Sequence, residues 1–409
     1  MSIGSNVAPI DKSSVHDDLW HVVESNNATK VDFKYVFDLF VANRQLIRAK
    51  VYPNPEDTKG YFNVSNIISN EMKFDWFTPN GQVFMKELND SGEIYLDYEY
   101  RLGEDVDGVT TLNMASGTVM VANSIPSLFG RRLSTNSSIL NNTTKRFITN
   151  RDKLNLKTND GEDLYIGGAL MASSSNIDIL QYNSSGTYLS SGTIAIPTST
   201  TSEIYQMNLS PEALTASGIT FGATCSYYDV EMWNRAPNPD VFLDKVRIYF
   251  DCNNKYEVIN LHFLNNYGLF DTARFTCVSK LSMDVQRKTF EKPDYKLTGS
   301  VSYYDNLYPP GPADVNRKYY ESKINFGSQY MWTYKLTMDF PSDQDYEWLA
   351  ELIMSPQVWA EIRYDNDEKE YYPVSIKATN YEYSKHINNG LRAFEVEIDM
   401  NQKRNGFRR

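Results

Sequence analysis

Residues Glu93 to Arg101 read Glu-Ile-Tyr-Leu-Asp-Tyr-Glu-Tyr-Arg, with Ile94, Leu96, Tyr98 and Tyr100 at every second position and mostly charges between them. A period of two is the mark of a strand with one buried face, because successive side chains of an extended chain point to opposite sides. The same alternation runs through Phe33 to Val41 and, after the turn residues Ala42-Asn43-Arg44-Gln45, through Leu46 to Tyr52, which predicts a hairpin. Pro53 to Gly60 follows as a loop, its two prolines fixing φ and its glycine permitting a tight reversal. Gly60 to Ile68 either re-enters the sheet or opens a short helix. The 29 Tyr, 20 Phe and 6 Trp suit a half-buried pleated surface and large subunit contacts, so they favour β-structure and assembly.

Between about residues 130 and 220 the composition shifts to Ser, Thr, Asn and Gly, as in Ser134 to Ser138, Ser173 to Asn176 and Asn183 to Ser202. These residues bury poorly and turn well, so short strands joined by polar loops are expected, with Phe147 to Asn150 and Asp163 to Gly168 as structured islands. The triplets Asn142-Thr143-Thr144 and Asn183-Ser184-Ser185 mark polar loops. Strand character returns at Val246 to Phe250, Tyr256 to Leu264 and Ala273 to Val278, with turn residues at Asp251 to Asn254 and Asn265 to Gly268, which predicts a small antiparallel meander. Tyr308-Pro309-Pro310-Gly311-Pro312 breaks regular structure inside the last block.

One segment carries helical periodicity. Ser342 can cap it, Asp343 and Asp345 fall in its first turn, and Tyr346, Leu349, Leu352 and Ile353 form a buried stripe before Pro356 stops it. Strands are expected around it at Met331 to Phe340, Val358 to Tyr364, Tyr372 to Ala378 and Ala393 to Met400. The expected fold is therefore mainly β, with two or three β-sandwich-like domains and a C-terminal α+β domain containing one packed helix. The blocks are 1–130, 131–284 and 285–409.

A formal net charge of −12 argues against a general nucleic-acid binder, which needs clustered cations. The tail Lys403 to Arg409 reads as a solvated terminus. Cys225, Cys252 and Cys277 are odd in number and widely spaced, so neither a disulfide framework nor a zinc site is indicated, and Cys252 and Cys277 read as small buried residues within strands. Met1 to Ser5 lack the basic and apolar regions of a secretory signal, and no stretch approaches the ~20 apolar residues of a membrane span. The chain is expected to be made in a cytoplasm and to stay soluble until it joins something.

No phosphate-binding glycine loop, metalloprotease motif or nucleophile elbow is present. His16, His21, His262 and His386 are scattered without ligand spacing. Glycan hydrolysis would need two facing carboxylates, and the candidates Asp97, Glu99, Glu395, Glu397 and Asp399 sit on polar faces of alternating strands, where charges keep a sheet soluble. Asp105-Val106-Asp107-Gly108 lacks the later acceptors of a calcium loop and reads as a turn. Tyr303-Tyr304, Tyr319-Tyr320, Trp332-Thr333-Tyr334 and Tyr371-Tyr372 could form a sugar-stacking platform, pack within the sheet or lie between subunits. No catalytic residue, cofactor or metal is assigned.

Several segments in order, Asp32 to Asp38, Val51 to Pro55 with Gly60 to Ser65, Tyr98 to Glu104, Arg146 to Asn150, Leu264 to Asp271 and Glu347 to Ile353 with Ser355-Pro356, together resemble virion proteins of phages that infect Bacteroidetes, the crAss-like phages among them. The resemblance spans most of the chain and is weakest in the serine-rich middle. It implies a non-enzymatic, multi-copy subunit of the virion tail or neck, a homo-oligomeric ring of six or twelve copies stacked against other tail, neck or portal proteins. DNA would pass through its channel without specific binding, and no membrane would be involved. An acidic subunit suits such a channel, since it repels DNA weakly. Exposed strand edges could supply the head-to-tail contacts that close a ring. The main alternative is a receptor-binding or carbohydrate-binding adhesin at the tail tip, supported by the aromatics and polar loops; a glycan-degrading enzyme of the same tail tip is a further one.

Overall fold

The computed structural model describes residues 3–10, 13–72, 85–87, 95–124, 146–171, 175–196, 202–235, 239–251, 255–277, 279–291, 323–338, 342–363, 368–377, 394–401 and 404–405. Within them the chain is mainly β, with several multi-stranded sheets and three helices, Ser65–Ser69, Pro211–Ala216 and Asp343–Met354.

The first core lies between two sheets. A five-stranded sheet runs in the order Ser13–Ser14, Val109–Ala122, Tyr95–Val106, Lys34–Val41, Arg44–Val51, and a three-stranded sheet is formed by Ile3–Val7, Trp20–Ser25 and Gly60–Asn63. The predicted alternation holds: Leu96, Tyr98, Tyr100 and Leu102 are buried with Tyr35, Phe37, Val23 and Phe62, while Asp97 is exposed. Both hairpins of the large sheet turn on two residues with positive φ. Ala42 (47°) and Asn43 (64°) form one turn, and Asp107 (52°) and Gly108 (81°) form the other. This geometry matches the right-handed twist of the flanking strands, so of the Asp105 to Gly108 segment Asp107 and Gly108 form the turn, while Asp105 and Val106 still belong to the strand. Gly60 to Ile68 fulfils both of its readings, a strand followed by a short helix whose Ile68 is buried.

The second core lies between the four-stranded sheet Arg146–Ile148, Tyr165–Met171, Ser202–Asn208, Met85–Glu87 and the five-stranded sheet Leu156–Thr158, Val241–Phe250, Tyr227–Asn234, Ser175–Tyr182, Tyr188–Ala195. Ile166, Tyr205 and Met207 of the first face Ile177, Ile179, Val230, Met232, Val246 and Ile248 of the second, a sandwich packing.

The third core is α+β. Its sheet has the order Phe270–Phe275, Ile259–Leu264, Val358–Arg363, Lys369–Ile376, Phe394–Asp399, Lys323–Met338, Lys280–Glu291, with Arg404–Asn405 beside Lys323–Met338. Helix Asp343–Met354 buries Trp348, Leu349 and Leu352 against it, and Ser342 caps the helix by accepting the Asp345 N–H at 3.0 Å. Ile353 is half-buried at the edge of that stripe, and Trp348 carries its largest buried side chain.

The meander expected over residues 246–278 forms only in part. Ile259–Leu264 and Phe270–Phe275 are a hairpin, but Val241–Phe250 pairs with Tyr227–Asn234 in a different sheet. Ile259–Leu264 then pairs with Val358–Arg363, so strands that precede residue 285 share a sheet and a core with the C-terminal helix. Cys277 stands half-exposed just beyond a strand rather than inside one, Cys225 is also half-exposed, and Cys252 lies outside the described residues.

Candidate functional site: a buried polar seam and an exposed apolar ribbon

Strand Phe270–Phe275 is buried on both faces. Ala273 and Phe275 enter the third core, while Asp271 on the same face accepts the Trp348 indole N–H at 2.8 Å and the Thr149 hydroxyl at 2.6 Å. The alternate residues Phe270, Thr272 and Arg274 face the second sandwich. Phe270 packs with Tyr165, Thr272 meets His262 and Tyr165, and Arg274 forks onto Glu162 at 2.6 and 3.0 Å and onto Asp251 at 2.7 Å. The third sheet therefore has a helix on one face and the second sandwich on the other, with a polar seam between them.

Two networks fill the seam. In one, His262 Nε2 lies 3.0 Å from Glu361 Oε2 and Nδ1 lies 2.9 Å from Thr272 Oγ1. Beside them Asp163 accepts Lys369 Nζ at 3.1 Å, Asn208 Nδ2 at 3.1 Å, the Tyr165 hydroxyl at 2.9 Å and the Tyr371 hydroxyl. Burial opposes the Asp163 charge, but Lys369, Tyr371 and His262 outweigh it and hold the carboxyl below its usual range. Burial pushes Glu361 the other way. In the second network Glu351 accepts Asn150 Nδ2 at 2.6 Å and the Asn266 N–H at 2.9 Å, and burial lifts it to about 7. Burial likewise lifts Asp271 to about 6.

Thr272, His262 and Glu361 stand in the order of a nucleophile, a base and an orienting acid. All three are buried, and Thr272 Oγ1 already accepts the Tyr165 N–H at 2.8 Å. The arrangement therefore orders the packing of two sheets, as a buried hydrogen-bonded network does.

The sequence-derived carboxylates fall in two places. Asp97 and Glu99 lie in the first sheet, where Glu99 pairs with Arg101 at 2.8 Å. Glu395, Glu397 and Asp399 share one face of Phe394–Asp399, with Glu395 2.5 Å from Lys335 and both Glu397 and Asp399 beside Lys377 at 3.3 and 2.9 Å. Of these five carboxylates, Glu99, Glu395, Glu397 and Asp399 are each held by a cation. His21 is buried in the first core, where burial lowers it to about 4, and His16 lies elsewhere in that region; His386 is outside the described residues. Among the described residues no group of three or more His, Cys, Asp or Glu could hold a metal, and no helix is long and apolar enough to cross a membrane.

Of the aromatic runs, Tyr303-Tyr304 and Tyr319-Tyr320 lie outside the described residues. Tyr371 points into the seam. A tyrosine row that the sequence does not reveal crosses the second sandwich. Tyr188, Tyr182, Tyr227 and Tyr249 are register partners on four successive strands, with Tyr182 and Tyr227 stacked at 5.0 Å and Arg247 over Tyr227. Tyr188 meets Tyr182 edge-on and Tyr249 is tilted against Tyr227, so the rings form a cross-strand ladder rather than a flat sugar platform.

Trp332 belongs to a second kind of site. Strand Lys323–Met338 buries Leu336 and Met338 in the third core with Tyr334 packed against it, but the same face continues outward through Trp332 and Tyr330. The register partners of Tyr334, Trp332 and Tyr330 are Leu281, Met283 and Val285 of Lys280–Glu291, a strand exposed along its whole length. Leu281 is 51% exposed, Met283 47% and Trp332 36%. Across a bulge the other face carries Phe290 and Phe326, ring centroids 6.1 Å apart and both exposed. The sequence places Met331 to Phe340 in a strand but gives no sign that its apolar face outruns the core.

No family model matches the chain, and no curated protein matches it.

Proposed function

We propose that this chain is a structural subunit of a bacteriophage tail or neck, present in several copies as a ring around the channel through which DNA leaves. The observation that carries the reading is the sheet face running from Leu336 through Tyr334 to Trp332, which is core at one end and solvent-exposed at the other. Apolar surface arranged in that way belongs to a protein whose packing is completed by something else. The resemblance of its ordered segments to virion proteins of Bacteroidetes phages supports the phage setting, and the net charge of −12 suits a wall that lets DNA pass. The polar seam supports the same reading mechanically, because it braces the second sandwich against the third sheet. The alternative of a carbohydrate-binding adhesin at the tail tip finds less support, since within the tyrosine ladder Tyr182 is stacked on Tyr227 and Arg247 lies over Tyr227, which leaves less open ring face for a sugar.

Electron microscopy of the purified chain, alone and mixed with the other tail proteins of its source, tests the proposal. Closed rings with a lumen wide enough for a DNA duplex, or incorporation into tail particles, are expected. A chain that enters neither rings nor tail particles, yet retains glycans on an array, would overturn it in favour of the adhesin.

A further inference from the structure

The strands Lys280–Glu291 and Lys323–Met338 pair in antiparallel register from Lys280↔Lys335 to Glu291↔Lys323. Only the inner part of Lys323–Met338 has a second neighbour among the described residues: Phe394–Asp399 beside Thr333 to Met338, and Arg404–Asn405 beside Gln329 and Tyr330. Outward from there only the tip, Arg287–Glu291 with Lys323–Ser328, is two-stranded among the described residues, and the whole ribbon from Lys280↔Lys335 to that tip has Lys280–Glu291 exposed along its length. A two-stranded ribbon with no helix or sheet on its faces is marginal by itself, so what finally covers it matters to its stability.

We infer that this ribbon is an arm that docks onto the body of a second copy of this chain, through the apolar face of Leu281, Met283, Val285 and Trp332 and, at its tip, through Phe290 and Phe326 on the other face. This rests on the reading of the protein as a multi-copy assembly subunit and names the surface and the partner.

Three observations favour a second copy. The first is charge. The ribbon carries Lys280, Arg287, Lys288, Lys323 and Lys335 against Asp284 and Glu291, an excess of cations in a chain whose formal net charge is −12. The rest of the chain is thus more acidic than the whole, and the body of an identical molecule offers the arm a complementary field.

The second is area. Twelve paired residues at ~3.3 Å each make a ribbon ~40 Å long, and two strands ~4.8 Å apart give each face an area on the order of 400 Å². The two faces together offer ~800 Å², the share that one partner contributes to a standard interface. Both faces are equipped for it, one with Leu281, Met283 and Trp332 and the other with Phe290 and Phe326.

The third is the edge. Among the described residues Lys280–Glu291 ends its sheet, and Lys280, Arg287 and Lys288 lie along it, residues that discourage indiscriminate strand addition. The docking is therefore by faces, with specific side chains, rather than by open-ended backbone pairing. Because arm and receiving body are different surfaces, the contact is head-to-tail, and it closes into a ring when the rotation between copies divides the circle.

Sedimentation velocity of the full chain over a concentration series tests the inference, with two variants chosen at exposed positions. Met283→Ser with Trp332→Ser removes apolar anchors, and Arg287→Glu with Lys288→Glu reverses the charge; thermal melting and circular dichroism check that each still folds. The wild type is expected to self-associate. The first variant is expected to weaken association by roughly thirtyfold and the second by about tenfold or more, 1.4 kcal/mol being a factor of ten. Self-association unchanged in both folded variants would overturn the arm while leaving a ring subunit that uses another surface. A wild type that stays monomeric at every concentration would overturn the second copy as occupant; incorporation of the tagged chain into tail particles would then decide the assembly reading separately.

Discussion

Glu351, in the third turn of helix Asp343–Met354, accepts the backbone N–H of Asn266 in the turn between Ile259–Leu264 and Phe270–Phe275 at 2.9 Å. Its other oxygen accepts Asn150 Nδ2, from the segment that follows the second sandwich's edge strand, so one carboxyl ties the helix, the hairpin and the sandwich together. Burial lifts this group from 4.5 to about 7. The unfolded chain therefore releases the proton first. Its contribution to stability is complete below pH 4.5 and is lost as pH rises to about 7, by about 3 kcal/mol. Because His21 acts in the opposite sense over nearly the same window, the expected signature is a difference: the wild type is expected to lose melting temperature relative to Glu351→Gln as pH rises from 4.5 to about 7. A slope unchanged in the variant would remove Glu351 as its source.

His21 makes the opposite prediction in the first core. Its Nε2 meets the Tyr98 hydroxyl at 2.9 Å, its Nδ1 is buried without a hydrogen-bond partner among the described residues, and burial lowers it from 6.5 to about 4. The folded state holds it neutral while the unfolded chain takes up a proton. Stability is complete above pH 6.5 and is lost as pH falls towards 4, by about 3 kcal/mol. Hydrogen exchange resolves the two regions: protection of Trp20–Ser25 should weaken on acidification, and His21→Phe should abolish that weakening even though it costs a hydrogen bond at every pH.

Gly268 closes the turn after Asn265 with φ at +75°, and a Cβ placed there would run into the Asn123 carbonyl oxygen. Strain and collision act together, because a left-handed residue without glycine's freedom costs ~1–3 kcal/mol and the obstacle is backbone that cannot rotate away. Gly268→Ala is expected to lower the denaturant midpoint accordingly. Gly108→Ala has the same sign of φ, at +81°, but nothing within reach of its Cβ, so it is expected to cost less. Equal losses in the two variants would show that the Asn123 contact adds nothing.

Much of the fold was legible where one face of a strand meets water. Leu96, Tyr98 and Tyr100 alternate with Asp97, Glu99 and Arg101, and the helix from Asp343 was marked by its Ser342 cap and by Leu349 and Leu352. Legibility failed where both faces are buried. In Phe270–Phe275 the polar residues Asp271, Thr272 and Arg274 serve two different neighbours, so alternation carries no sign of a seam, and the partners Glu162, Asp163, Thr149 and Glu361 are far away in sequence. A charged residue in a short strand flanked by aromatics was the available signal. The ribbon was hidden for the converse reason. Trp332 and Met283 have core-like spacing, and only the third dimension reveals that the helix ends its cover before reaching them.

Asp163 and Lys369 allow the seam to be measured directly. The carboxylate is fully buried and accepts three neutral donors besides the ammonium group, which also reaches Glu212 at 2.9 Å. Lys369→Met leaves a buried anion with hydrogen bonds but no countercharge and is expected to cost about 3–5 kcal/mol. Asp163→Asn removes the charge while keeping one acceptor and alone leaves the lysine half-provided for, since Glu212 remains. If the pair is coupled through charge, the double variant will be more stable than the sum of the single losses, with an interaction energy of roughly 1–3 kcal/mol in a double-mutant cycle read by urea unfolding. Strict additivity would mean that the hydrogen bonds from Asn208, Tyr165 and Tyr371 hold Asp163 without help. The seam would then be braced by its hydroxyls and amides rather than by its ions.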